Sequence, residues 1–154
     1  MRTNVLFVAL LWRTVAVYLV LALALLICLA GLFALGVDVP PRKLAGSVAF
    51  IKLKPTLAYI AFALVLLASE FGLRVNVVRL IAGKRLGLAP STWRQYLIEL
   101  SFLLLALAVL NVFVAFTTSV EVWINYKLFG ALALLLVGIY VLAHRTSKLA
   151  ANGL

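Results

Sequence analysis

Acidic side chains are nearly absent from this sequence: four Asp and Glu occur in 154 residues, against fourteen Lys and Arg. Histidine and cysteine are scarcer still, one of each. Paired carboxylates for general acid–base work therefore have few candidates. Neither a paired-His zinc signature nor a cysteine pair can be assembled. A Gly-x-Ser-x-Gly elbow and a phosphate-cradling glycine loop are missing as well. These absences point to a non-enzymatic chain with no metal and no cofactor. Alone in mid-run, Cys28 closes no disulfide and says nothing about redox compartment.

What the sequence does have is apolar surface. Hydrophobic residues make up 67% of it and the mean hydropathy is +1.24, where a soluble domain is about 45–50% apolar. Four apolar runs stand out: 14–37 without a charge, 56–73 broken by Glu70, 96–116 holding Glu99 and Asn111, and 122–143 holding Asn125 and Lys127. Each approaches the roughly 20 residues that a helix needs to cross a hydrocarbon core. Continuous apolar character, rather than alternation, argues for helices over barrel strands. The expectation is an all-α polytopic membrane protein, one domain of about four transmembrane helices. Val5 to Leu11 is too short to span and reads as an interfacial lead-in. Ala34-Leu35-Gly36 resembles a signal cleavage site, but the run before it exceeds the usual h-region of about 7–15 residues.

Charge sets the expected orientation. Arg2, Arg13, Arg74, Arg79, Lys84, Arg85, Arg94, Arg145 and Lys148 share one face; Arg42, Lys43, Lys52 and Lys54 lie on the other. Under the positive-inside rule this puts both termini in the cytoplasm. Because the basic residues are spread over short loops, the net charge of +10 fits anionic lipid better than nucleic acid. Asp38-Val-Pro-Pro-Arg42 reads as a turn, Pro55 as the first turn of the second helix, and Ser91 or Thr92 as a cap of the third. Gly83-Lys-Arg-Leu-Gly87 reads as part of the cytoplasmic connector.

The polar residues inside the runs are the candidate site. In an antiparallel hairpin centred near Ser119, Asn111 and Lys127 come to the same depth, so they can pair. Alternatively, Lys127 snorkels to the interface beside Trp123 and Tyr126. Lys52, Lys54, Lys127, Trp123 and Tyr126 then form a basic, aromatic cluster that fits a lipid phosphate or an acidic partner. At the other interface, Glu70 and Arg74 have i,i+4 spacing and Arg94 lies close to Glu99. His144 falls just past the last run, as a solvated helix end.

Phe50-Ile-Lys-Leu-Lys-Pro-Thr56, Gly83-Lys84, Leu88-Ala-Pro-Ser-Thr-Trp93, Leu110-Asn111-Val-Phe-Val-Ala-Phe116 and Trp123-Ile-Asn-Tyr-Lys-Leu-Phe-Gly130 follow one another in a familiar order. From Phe50 onward the chain resembles the intracellular septation protein A family of bacterial inner-membrane proteins (IspZ, also YciB). Phe50, Pro55, Thr56, Trp93, Phe129 and Gly130 carry the resemblance. It implies an inner-membrane protein of cell-envelope maintenance and septation, working through other envelope or division proteins. The family has about five spans, and its Phe-rich opening helix has no counterpart here, so another chain could supply one. Three readings follow: a structural or interaction protein; a small homo-oligomeric carrier or lipid-handling protein using Asn111, Asn125 and Lys127; and an accessory subunit of a larger membrane complex.

Overall fold

The computed structural model describes residues 3–36, 47–82 and 86–151, and the described residues are helical with no strand. Among the described residues, four helices are long and apolar enough to cross a membrane: α1 (Thr3–Ala34), α2 (Val48–Phe71), α4 (Pro90–Thr117) and α5 (Val120–Ala151). A short helix, α3 (Val77–Ala82), lies between α2 and α4. The chain is an all-α polytopic membrane protein. Antiparallel packing gives the bundle two ends. One, the hairpin end, holds Ser47 and the Thr118-Ser119 connection; the other, the termini end, holds Thr3, Phe71, Pro90 and Ala151.

Each apolar run sits inside a longer helix. Val5 to Leu11 is no lead-in, because Leu6 and Leu10 are fully buried and continue with Thr14 and Val17 as one stripe. That spacing is one face of a helix, so α1 packs from its first turn. Tyr18 meets Phe62 edge to face at 4.3 Å between ring centroids, and Phe7 meets Tyr140 at 5.3 Å. Higher on α1, Leu23, Leu26, Ile27 and Leu32 are exposed, as suits a helix apolar all round and bathed in lipid.

α4 is the axis of the bundle. Trp93, Leu97, Leu100, Leu104, Asn111 and Ala115 are buried along it at alternating helical spacings, and its most extensive contact is with α2. Its start differs from expectation: Ala89 is the cap residue, without a side-chain bond, and Ser91 and Thr92 lie inside the helix. Pro90 sits at the first helical position, where its fixed φ and missing N–H suit a helix start. Against α5 the approach is close at Gly138, where an added Cβ would lie 2.5 Å from Leu103 Cδ1.

α2 also begins earlier than expected. Ser47 is its cap, with Oγ accepting from Phe50 N at 3.2 Å. Pro55 is therefore inside the helix rather than in its first turn, and supplies no N–H to the carbonyl four residues back. α5 runs past 143, so His144 is an exposed residue of the helix rather than a point beyond it.

At the termini end the ion pairs differ from the expected ones. α2 stops at Phe71, and Arg74 takes a left-handed backbone with φ 54°, which costs a non-glycine residue about 1–2 kcal/mol. The i,i+4 geometry with Glu70 is thereby lost. Arg94 takes that place, with Nε 3.8 Å from Glu70 Oε1 and its guanidinium over the Phe71 ring. Glu99 instead meets Arg145, at 3.6 Å, and accepts from Gln95. The arginines are over half exposed, so each pair contributes only about 0.2–1 kcal/mol. A deeper tie is the 2.8 Å hydrogen bond between Thr14 Oγ1 and Tyr96 OH, both buried. Thr14→Val is expected to cost about 0.6–1.7 kcal/mol, the range for interhelical bonds in membranes. Thermal unfolding in detergent checks it, with Val15→Thr on the exposed face as the neutral comparison. The expected turn at 38–42 and the residues Gly83, Lys84 and Arg85 lie outside the described residues.

Candidate functional site

Asn111 is the hub of the hairpin end. It is 1% exposed, one face inward on α4 from Ala115. Its Nδ2 donates to Thr56 Oγ1 at 2.7 Å and to Lys52 O at 3.0 Å, both on α2. Its Oδ1 accepts from Trp123 Nε1 on α5 at 3.2 Å. One amide side chain thus joins three helices, and a buried amide needs such partners on both its oxygen and its nitrogen. The carbonyl it reaches is next to that of Ile51, the one Pro55 leaves without its helical donor. Trp123 is buried with its ring in the bundle, so its indole N–H must also find an internal acceptor.

Lys52 closes the same end. Its Nζ donates to Ala115 O at 2.8 Å and Thr118 O at 3.2 Å. These are among the last carbonyls of α4, left without helical donors and bearing the negative end of its dipole. Lys52 is therefore an internal clamp on the hairpin, not a member of an exposed cluster. Ser119 then caps α5, accepting from Val122 N at 3.4 Å.

Lys127 does not pair with Asn111, whose polar atoms are already occupied from α2 and Trp123. Its ammonium lies 5.3 Å from the centroid of the Trp123 ring, one turn nearer the hairpin end. Side chains on a helix lean towards its N-terminus, so this is the direction of snorkelling. Lys54 is exposed and does the same over Phe50, at 5.6 Å. Asn125 and Phe129 are exposed one turn apart on α5. The end thus has an inner lock of Lys52, Thr56, Asn111 and Trp123, and an outer face of exposed Lys54, Asn125, Lys127 and Phe129. That face wraps around α5, with Asn125 and Phe129 on one side of the helix and Lys127 on another.

Between these layers α5 changes its winding. Tyr126–Gly130 is a π turn within the helix, a feature frequent at functional sites. The ring of Tyr126 lies on Gly130, where an added Cβ would come within 3.0 Å of Tyr126 Cδ2. Its hydroxyl is buried without a hydrogen-bond partner. Below the turn, a cleft of about 300 Å³ runs among α1, α2, α4 and α5, lined by Thr14, Tyr18, Tyr59, Phe62, Ile139 and the stem of Lys127. Among the described residues no three His, Cys, Asp or Glu gather as a metal site. The Pro55 break, the Lys52 clamp and the π turn were not expected from the sequence. An interior proline followed by a buried threonine was the available signal for the first.

The profile of the family described as "Intracellular septation protein A" matches residues 44–149. Among curated proteins, the "Inner membrane-spanning protein YciB" of Paraburkholderia phymatum is 40% identical over 88 residues, covering 57% of this chain and 50% of that protein. Its namesake in Coxiella burnetii (strain Dugway 5J108-111) is 38% identical over 103 residues, 67% of this chain and 57% of that one. That of Herminiimonas arsenicoxydans is 35% identical over 99 residues, 64% and 48% respectively. The chain spans about half the length of the curated relatives it matches. No solved structure matches it. The matched residues include α2, α4, the π turn and all of the inner lock. The chain belongs to the intracellular septation protein A family and is a multi-pass protein of the inner membrane.

Proposed function

We propose that the chain is a non-enzymatic structural or interaction protein of cell-envelope maintenance and septation. Both termini lie in the cytoplasm, and it docks membrane partners of the envelope or division machinery through the outer face of the hairpin end. The observation that carries this reading is the division of labour at that end. The buried polar atoms of Asn111, Trp123 and Thr56 are matched to one another. Asn125 and Lys127 instead stand exposed on a membrane helix, where polar groups are costly unless they have a partner or reach the interface. A rigid base holding an outward polar and aromatic surface suits recognition better than chemistry.

Lys127→Ala tests it. The variant is expected to insert at the normal level and to lose complementation of a septation or envelope defect in a strain lacking the gene. Full complementation would contradict the docking role of this residue; absence of the variant from the membrane would make it structural.

The cleft favours a second reading, a homo-oligomeric lipid-handling protein. Its walls are apolar and Lys127 is at the rim, which suits an anionic amphiphile with its chain between the helices. Tyr59→Trp would narrow the cleft from α2 without touching the outer face. Loss of complementation by both that variant and Lys127→Ala, with Asn125→Leu active, would favour this reading over docking.

A further inference from the structure

A second recess lies at the opposite end of the bundle and shares no residue with the hairpin-end site. About 580 Å³ in volume, it is lined by Arg74, Val75, Asn76, Arg79, Leu88 and Trp93, among others. Two cations face it, and no carboxylate is among the lining residues. Glu70, at the end of α2, is engaged by Arg94 and by Asn76 Nδ2, the latter at 2.8 Å. Asn76 is the organiser: its Oδ1 also accepts from Arg79 N at 2.8 Å. One side chain thus fixes the end of α2 to the segment carrying Arg79.

Arg74 is held by its backbone rather than by an acid. Val75 N donates to Ser69 O at 2.8 Å and Leu73 N to Ala68 O at 3.1 Å, and Arg74 between them takes the left-handed conformation that glycine usually fills. A strained residue kept in place by its surroundings is a pointer to a role. Trp93, buried to 1% exposure, gives the recess an aromatic wall. Guanidinium groups match phosphate oxygens in a fork that an ammonium cannot offer. The recess lies where α2 ends and α4 begins, the level at which basic pockets between membrane helices meet headgroups.

We propose that this recess binds a phosphate ester, with Arg74 and Arg79 as its cationic ligands. The phosphate belongs to an anionic lipid headgroup or to a soluble monoester, and the two are separable. The full chain in mild detergent is titrated with phosphatidylglycerol, with phosphatidylcholine and with glycerol 3-phosphate, and bound species are counted by native mass spectrometry. Phosphatidylglycerol is retained over phosphatidylcholine, and Arg74→Gln with Arg79→Gln lowers its retention at least tenfold at an unchanged unfolding temperature. Retention that resists glycerol 3-phosphate assigns the site to the lipid, whereas displacement by it assigns the same arginines to a soluble ester. Equal retention of both lipids overturns the proposal. So does an undiminished phosphatidylglycerol signal in the double variant, or an equal loss in Lys148→Gln, which removes a cation near the same end but outside the recess.

Discussion

Asn111→Leu is expected to lower stability by about 2–3 kcal/mol. The substitution keeps the branched shape but adds bulk at a fully buried position, so some of the loss comes from overpacking. What goes is the amide that serves Lys52 O, Thr56 Oγ1 and Trp123 Nε1 together. A single interhelical bond in a membrane is worth about 0.6 kcal/mol, with a maximum near 1.7. A buried group left without any partner costs about 1–3 kcal/mol. Three groups orphaned at once place the effect at the upper end. Asn111→Asp separates the two halves of the hub: a neutral carboxyl keeps the acceptor for Trp123 and one O–H donor for α2, where the amide supplies two. Its loss should fall between wild type and Asn111→Leu, provided the carboxyl stays neutral in the bundle. Asn125→Leu, the same change at an exposed position, should stay within about 0.5 kcal/mol. Thermal unfolding of the three variants in one detergent checks the order. If Asn111→Leu and Asn125→Leu unfold together, the hub is not what holds the three helices.

Lys52→Gln should produce the second largest loss, about 1–2 kcal/mol, as a cation at a partly buried helix C-terminus can contribute up to about 2. Its amine joins the first turn of α2 to the carbonyls of Ala115 and Thr118, so the damage is local as well as global. The Thr118-Ser119 connection loses the side chain that restrains it. Faster cleavage there by a protease added on the hairpin side is the expected readout. Lys54→Gln, which removes an exposed lysine over Phe50, should leave both stability and cleavage unchanged. A glutamine at 52 that is as resistant as wild type would mean that the α4 carbonyls are satisfied without the clamp.

The helical membrane class was legible because it depends on apolar content and run length, which a sequence states directly. Helix ends were less so. Val5 to Leu11 is too short to span but long enough to pack, and only the stripe of Leu6, Leu10, Thr14 and Val17 distinguishes the two. Pro55 illustrates a conflict of local and tertiary forces. Helix propensity places a proline in the first turn, yet Ser47 supplies a cap eight residues earlier, and Asn111 ties α4 to Lys52 O, next to the carbonyl that the proline leaves without a donor. Equal depth brought Asn111 and Lys127 into the same frame but did not decide their rotation about the helix axes. Asn111 faces α2, and Lys127 leans back over Trp123. The π turn had no sequence expectation, because the extra residue that it inserts into the winding shows only in the backbone. The exchange of partners at the termini end follows from the early stop of α2: once Arg74 leaves the helix, Arg94 is the cation within reach of Glu70.

In the proposed function an outward face at the hairpin end meets another protein while the inner lock holds its shape. Site-specific photo-crosslinking in living cells tests this most directly, with the probe placed in turn at Asn125, Phe129 and Val141. All three are exposed on α5, and Val141 lies some three turns or more beyond the π turn, outside the proposed docking face. The account predicts one discrete adduct with an inner-membrane protein from positions 125 and 129 and none from 141. It also predicts that Lys127→Ala weakens the adduct while Arg79→Gln does not. No adduct from 125 or 129, or the same adduct from all three positions, would contradict it.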